Sequence, residues 1–310
     1  MIHSISRRRL YVNSPPEVRE GRLMTRSIGL AHLSALQLTP PELVDAAADY
    51  GFNSVGVRVH PATPSENSYP MSLGSPMSVQ TLARLEDTGL TVFDVEVFTL
   101  DGVRGRDEWM PVLEAGATLG ARILNVIGGD DNPRRMTDSL AALVRDAREF
   151  GITASIEPIS YQQINTFRIG ATIAEQTGCG IMLDVLHFVR SGGTISDLVA
   201  APKGSVQVIQ LCDGPATVLD LTPPTRMPLG QDTNGSARQI ESRAERQVPG
   251  EGAFPLVDIL RALPGVPISV EVPDVTFVET RGIAAHLKRI FAATHELVTT
   301  SDSERQETLR

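Results

Sequence analysis

Short runs rich in β-branched and apolar residues alternate along this chain with longer stretches whose apolar positions recur every three or four residues. The first pattern predicts buried strands and the second amphipathic helices. The strand-like runs are 27–33, 54–59, 91–97, 123–127, 153–157, 180–184, 206–211 and 268–272. Helix patterns fill the gaps at 40–50, 78–88, 109–119, 136–150, 169–177, 195–200, 255–263 and 281–297. The first opens on Pro40 and Pro41, which suit a first helical turn because its N–H groups have no partner there. Gly51, Gly89, Gly120, Gly151 and Gly178 close successive helical stretches, as left-handed C-caps do.

Strands that alternate singly with helices specify a parallel α/β sheet. An open doubly wound sheet and a closed (β/α)8 TIM barrel both satisfy the pattern. Eight units and a domain near the usual barrel length of roughly 250 residues favour the barrel. No GxGxxG phrase follows the first strand, which argues against a dinucleotide-binding sheet. The expected organisation is one barrel domain over 25–298, an N-terminal extension at 1–24 and a polar C-terminal tail at 299–310. Met24 stands directly before the first strand and is a candidate start. Stretches 61–77 and 212–253 break the rhythm. In a barrel both lie at the C-terminal mouth, where long loops bind ligands or cover sites.

The 310 residues are 41% apolar and 21% charged, which supplies a large core and excludes disordered and fibrous classes. The net charge of −9 argues against nucleic acid as a partner, since phosphate binding needs a basic footprint. No apolar run approaches the roughly 18 residues of a membrane span. Arg7, Arg8 and Arg9 lack a following apolar segment, so no secretory signal is read. Two cysteines, Cys179 and Cys212, do not form a disulfide framework, and a reducing, cytoplasmic setting is expected.

A barrel carries its chemistry at the C-terminal strand ends. Strand five ends at Glu157-Pro158, strand six at Asp184, strand seven near Gln210 and strand eight at Glu271. Buried carboxylates that converge repel one another unless a cation lies between them. Four oxygen donors on successive strands therefore predict one divalent metal ion. All-oxygen ligation favours Mg2+ or Mn2+, with Co2+ as the alternative. His187 follows Asp184 by three residues and is the expected general base. Arg58 and His60 stand two apart at the end of strand two and should share a face. With Glu96 near the end of strand three, and His32 after strand one, they are candidates for holding substrate hydroxyls or a carboxylate.

The set Glu157-Pro158, Asp184-x-x-His187, Gln210 and Glu271 resembles the xylose isomerase-like TIM barrels, the sugar phosphate isomerase/epimerase superfamily. The phrases FDVEVF, LGARILNV and PGEGAFPLVDILRAL are similar in kind. Gln210 in VIQLCDGP stands where ketose epimerases of that superfamily usually carry His. It is similar to the strand-seven phrase of bacterial 3-dehydroshikimate dehydratases. Ser242 to Arg246, followed by Pro249-Gly250-Glu251-Gly252, resembles the same subgroup and implies that Ser242 and Arg246 bind a substrate carboxylate or hydroxyls. The stretch between Gln210 and Ser242 looks longer than in that subgroup, and the extension at 1–24 has no counterpart. The resemblance implies a small keto or polyol substrate and a metal-dependent lyase, a dehydratase of 3-dehydroshikimate-like or inosose-like compounds. A sugar or sugar-phosphate isomerase or epimerase is the nearest alternative. A non-catalytic barrel subunit that binds a partner protein is the alternative of another class. Homo-oligomers are common in the superfamily. Its DNA-repair endonuclease branch relies on many His ligands, and this acidic chain has 6 His in all.

Overall fold

A computed structural model of the chain describes residues 26–233 and 235–308. The expected extension and Met24 lie outside these residues. Eight parallel strands close into a barrel in sequence order: β1 (Ile28–Leu30), β2 (Ser54–Arg58), β3 (Thr91–Leu100), β4 (Ile123–Gly128), β5 (Thr153–Glu157), β6 (Gly180–Asp184), β7 (Val206–Leu211) and β8 (Ile268–Val270). The seam is the pairing of β1 with β8, in which Ile28 faces Ile268 and Leu30 faces Val270.

The outer ring holds α1 (Pro40–Tyr50), α2 (Pro76–Thr88), α3 (Arg106–Leu119), α4 (Pro133–Glu149), α5 (Phe167–Thr177), α7 (Ile195–Ala200), α9 (Leu256–Ala262) and α11 (Ile283–Thr308). Helix α4 shows how local sequence sets an element. The Asn132 side chain accepts from the Arg135 N–H as N-cap, Pro133 takes the first position, and Met136, Leu140, Leu143, Val144 and Ala147 form the buried stripe. Helix α1 stops at Gly51, whose φ of 95° is left-handed, and the next buried strand follows within three residues.

Three further helices lie outside the eightfold rhythm. Helix α6 (Val185–Arg190) starts directly at the end of β6, and α10 (Val275–Arg281) follows β8. Stretch 212–253, expected as loop, contains a 3-10 turn (Pro228–Gly230) and α8 (Ala237–Ala244), capped by the Ser236 side chain. The expected polar tail is helical as far as Thr308, because α11 continues through it. Ser301 is buried there, and Asp302 pairs with Arg26 at 3.5 Å. No helix among the described residues is long and apolar enough to cross a membrane.

Inside the barrel, Ile123, Met182 and Val208 form a buried apolar cluster. Two residues further along the same strands stand Asn125, Asp184 and Gln210. Side chains two apart on a strand share a face, so this apolar layer is the floor of a polar layer at the mouth. Above the mouth the two long loops meet. Asn67 N–H donates to the Leu229 carbonyl at 2.8 Å, and the Gln231 amide donates to Glu66 at 3.3 Å.

Candidate active site

A cavity of about 310 Å3 opens at the C-terminal mouth. Its wall includes Arg58, Glu96, Asn125, Glu157, Tyr161, His187, Ser242, Arg246 and Glu271. Glu157 is the last residue of β5, and Pro158, which has no N–H, follows it. Asp184 ends β6 and sits in register with Gln210 of β7. Glu271 lies one residue beyond β8, its N–H bonded to the Leu211 carbonyl at 3.0 Å. One ligand atom each from Glu157, Asp184 and His187 lie within 4.8 Å of one another.

The expected ligands Gln210 and Glu271 are placed differently from that close group. Gln210 Nε2 donates to Glu271 Oε1 at 2.8 Å. The Arg246 guanidinium lies between Asp184 Oδ2, at 2.8 Å, and Glu271 Oε2, at 3.0 Å. Asp184 and Gln210 are buried, and Arg246 forms the cavity wall on their side. In this state one internal cation bridges two of the three carboxyl groups. It reaches them because Arg246 is anchored twice: its Nε donates to the Ser242 carbonyl at 2.8 Å, and its backbone N–H to the Pro273 carbonyl at 3.0 Å.

The charge is still unbalanced. Burial, then the neighbouring Asp184 charge, push the Glu157 carboxyl up to about 8, against a 2.6 Å hydrogen bond from Asn125. Burial raises Glu271 well above the carboxylate range despite Arg246. Burial also acts to raise Asp184, but Arg246 and His187 overcome it and hold the group low. Asp184 Oδ2 has the Arg246 guanidinium, whereas Gln210 Oε1 and Asn125 Oδ1 are buried without a hydrogen-bond partner. Oxygen atoms of this kind normally find a partner. They are hard donors and suit a small divalent ion.

His187 reaches the site through a helix start. Asp184 ends its strand and caps α6, its Oδ1 accepting from the His187 N–H at 3.1 Å. The third residue of that helix therefore stands over the carboxylate. His187 Nδ1 lies 3.3 Å from Ser160 Oγ and Nε2 3.3 Å from Ser242 Oγ. Burial lowers its pKa to about 4, so the ring is neutral near pH 7. Tyr161 packs edge-on to the imidazole at 5.3 Å and donates from its hydroxyl to Ser242 Oγ at 3.2 Å.

The opposite wall is differently built. Arg58 bonds both oxygens of Glu66 at 3.0 and 3.2 Å and Oε2 of Glu96 at 3.0 Å. Glu96 Oε1 accepts from the His32 N–H at 2.9 Å. Gly56 makes room for this set, since a Cβ there would stand 2.9 Å from Glu96 Oε1. His32 uses both ring nitrogens, Nδ1 accepting from the Arg58 N–H and Nε2 bonded to the Leu38 carbonyl, each at 2.9 Å. It does not line the cavity. His60 departs from expectation as well. Strand β2 ends at Arg58, so the two-residue alternation does not carry to His60. Its ring lies against Phe98 at 5.5 Å and stays outside the cavity wall.

Asn125, Ser160, Tyr161 and Glu66 escaped the sequence reading. A lone amide inside the apolar run ILNVI was the one available signal for Asn125.

A family model described as xylose isomerase-like TIM barrel matches residues 44–293. No protein of curated function matches the sequence. Among solved structures, a xylose isomerase-like TIM barrel/4-hydroxyphenylpyruvate dioxygenase fusion protein superposes with a TM-score of 0.71 at 16% identity. That match covers 92% of this chain and 44% of the fusion, so this chain spans less than half of that protein. The IOLI protein with a bound zinc atom gives a TM-score of 0.62 at 15% identity, over 89% of this chain and 99% of that one. The probable 3-DHS dehydratase AsbF of Bacillus anthracis gives 0.64 at 13% identity, over 84% and 97%. At such identities the superpositions speak for fold alone. With a closed eight-stranded barrel and a family match over most of its length, the chain belongs to the xylose isomerase-like TIM barrel family.

Proposed function

We propose that this protein is a divalent-metal-dependent dehydratase. It would remove the proton alpha to a carbonyl of a polyhydroxylated keto compound, of 3-dehydroshikimate or inosose type, and expel a β-hydroxyl. The observation that carries the proposal is the buried group at the floor of the mouth: Glu157, Asp184 and a neutral His187 with ligand atoms within 4.8 Å of one another, Glu271 beside them in the cavity wall and Gln210 bonded to it. The donor set fits a hard cation: three carboxylates and one amide, whose Gln210 Oε1 is buried without a partner. Glu157, Asp184, Gln210 and Glu271 would hold the ion, which when bound supplies Lewis acidity toward a substrate oxygen. Arg246 already pairs with Asp184 and Glu271, so a dication would compete with it for the same oxygens. A guanidinium freed in this way offers a two-pronged donor to a substrate carboxylate.

His187 accepts the alpha proton at Nε2, which faces Ser242 across 3.3 Å. Ser160 at Nδ1 steadies the tautomer. The C–H electron pair becomes the new C=C bond as the β C–O bond breaks. The His187 imidazolium returns its proton to the departing hydroxide, and water leaves. If the proton goes back to carbon instead, the same residues catalyse isomerisation or epimerisation.

The test is a panel of polyhydroxy ketones and keto acids, including 3-dehydroshikimate and an inosose. Chelator-stripped protein is assayed with added Mn2+, Mg2+ or Co2+, and products are resolved by mass. Loss of 18 mass units that depends on metal and on His187 supports the reading. A product of unchanged mass assigns the isomerase alternative. Activity that survives both chelation and His187→Ala overturns the mechanism.

A further inference from the structure

We infer that the substrate site extends into an apolar side cavity, so that the natural ligand carries a compact apolar group beside its oxygen-rich keto head. The inference deepens the proposed function and rests on it. A second cavity of about 230 Å3 lies at the mouth beside the first, and the two share Leu33, Gln231 and Arg243 as walls. Most of the remaining wall's exposed area is hydrocarbon, from Leu36 in the turn after β1, Met227 and Pro228 in the long loop after β7, and Val275 and Val278 of α10. Gln37, Arg226, Asp274 and Glu279 also line it. The Ser34 hydroxyl on this wall is already spent. It donates to the Val270 carbonyl at 2.9 Å and accepts from the Val272 N–H at 2.7 Å.

The contrast with the first cavity is chemical. Glu96, Glu157, His187, Arg246 and Glu271 suit a ligand dense in oxygen, whereas the side cavity presents mainly apolar surface despite the polar residues that also line it. A sugar or cyclitol alone leaves it empty. An apolar cavity of roughly 150 Å3 is enough for a benzene ring, so this one accommodates an aryl or branched alkyl group. Two elements outside the eightfold pattern, the 3-10 turn (Pro228–Gly230) and α10, supply much of its lining. Removing such a group from water favours binding in proportion to the area covered.

The test uses Mn2+-loaded full-length protein and two chelating probes, acetohydroxamate and 3-phenylpropionohydroxamate, measured by calorimetry. The phenyl homologue is expected to bind about tenfold tighter or more, the scale for covering one ring. Val278→Trp, which fills the side cavity, should erase that advantage and leave acetohydroxamate unchanged. With methyl-labelled methionine, the Met227 signal should move with the phenyl homologue and not with acetohydroxamate. Equal affinities with an unmoved Met227 signal overturn the inference. If neither probe binds the Mn2+-treated protein, the metal reading fails. The side cavity is then judged by 3-phenylpropanol alone: a Met227 shift supports it and no shift rejects it.

Discussion

The two halves of the barrel mouth each place one arginine between two carboxylates, but partner the remaining groups differently. On the β1–β3 side Arg58 sits between Glu66 and Glu96, and His32 spends both ring nitrogens on backbone partners. On the β5–β8 side Arg246 is the cation facing Asp184 and Glu271, while Glu157 has the Asn125 amide, and the side-chain oxygens of Gln210 and Asn125 are left over. The first side also buries a raised carboxyl, Asp94 on β3 below Glu96, but its cation is closed on two side chains that serve as scaffold. Three buried carboxyls around a single cation, two of them pushed upward by burial, are an arrangement that stability does not select. The difference separates the half that positions from the half proposed to react.

The largest effect should come from the open half. Glu157→Gln is expected to lower kcat/KM by about 10³-fold or more, the scale for lost transition-state charge stabilisation, with parallel loss of bound metal by elemental analysis. Its urea midpoint should hold or rise, because a repelled carboxyl has been removed. Arg58→Met breaks the closed half and leaves two buried carboxylates without their cation, at a cost of about 3–5 kcal/mol. Urea unfolding should show that loss, while metal content stays as in the parent.

The next effect is one of pH. Burial lowers His32 to about 3, whereas the unfolded chain titrates near 6.5. Below pH 6.5 the unfolded state binds the extra proton first, so His32 contributes stability above that value and loses it as pH falls toward 3. His187, lowered to about 4, acts in the same direction. Melting temperatures of the metal-free protein should therefore fall with acidification across this window. His32→Gln should make the fall shallower, and an unchanged slope would count against the buried neutral ring. The smallest effect is that of His60→Ala, outside both sets. Stability should change by less than about 1 kcal/mol, and kinetic constants should match the parent.

Much of this arrangement was legible in the sequence. Short β-branched and apolar runs and glycine caps located the strands, and position at strand ends singled out Glu157, Asp184, Gln210 and Glu271. What escaped was set by contacts distant in sequence or by local overrides. His60 was expected beside Arg58, but the strand ends first. Helix α6 was hidden because Asp184 looks like a strand-end ligand and also acts as a cap. Helix α8 lies in a stretch dense in Pro, Gly and Thr. Arg246, implied by resemblance to bind substrate, stands as counter-ion to Asp184 and Glu271. That pairing depends on residues 62 and 25 positions away in the chain, which no local pattern encodes.

The most direct test of the account is calorimetric titration of the chelator-stripped full chain with Mn2+, beside the Asp184→Asn variant. The account predicts one ion per chain for the parent and an affinity weakened about 100-fold or more in the variant. No binding by the parent, or unchanged affinity after Asp184→Asn, would contradict it.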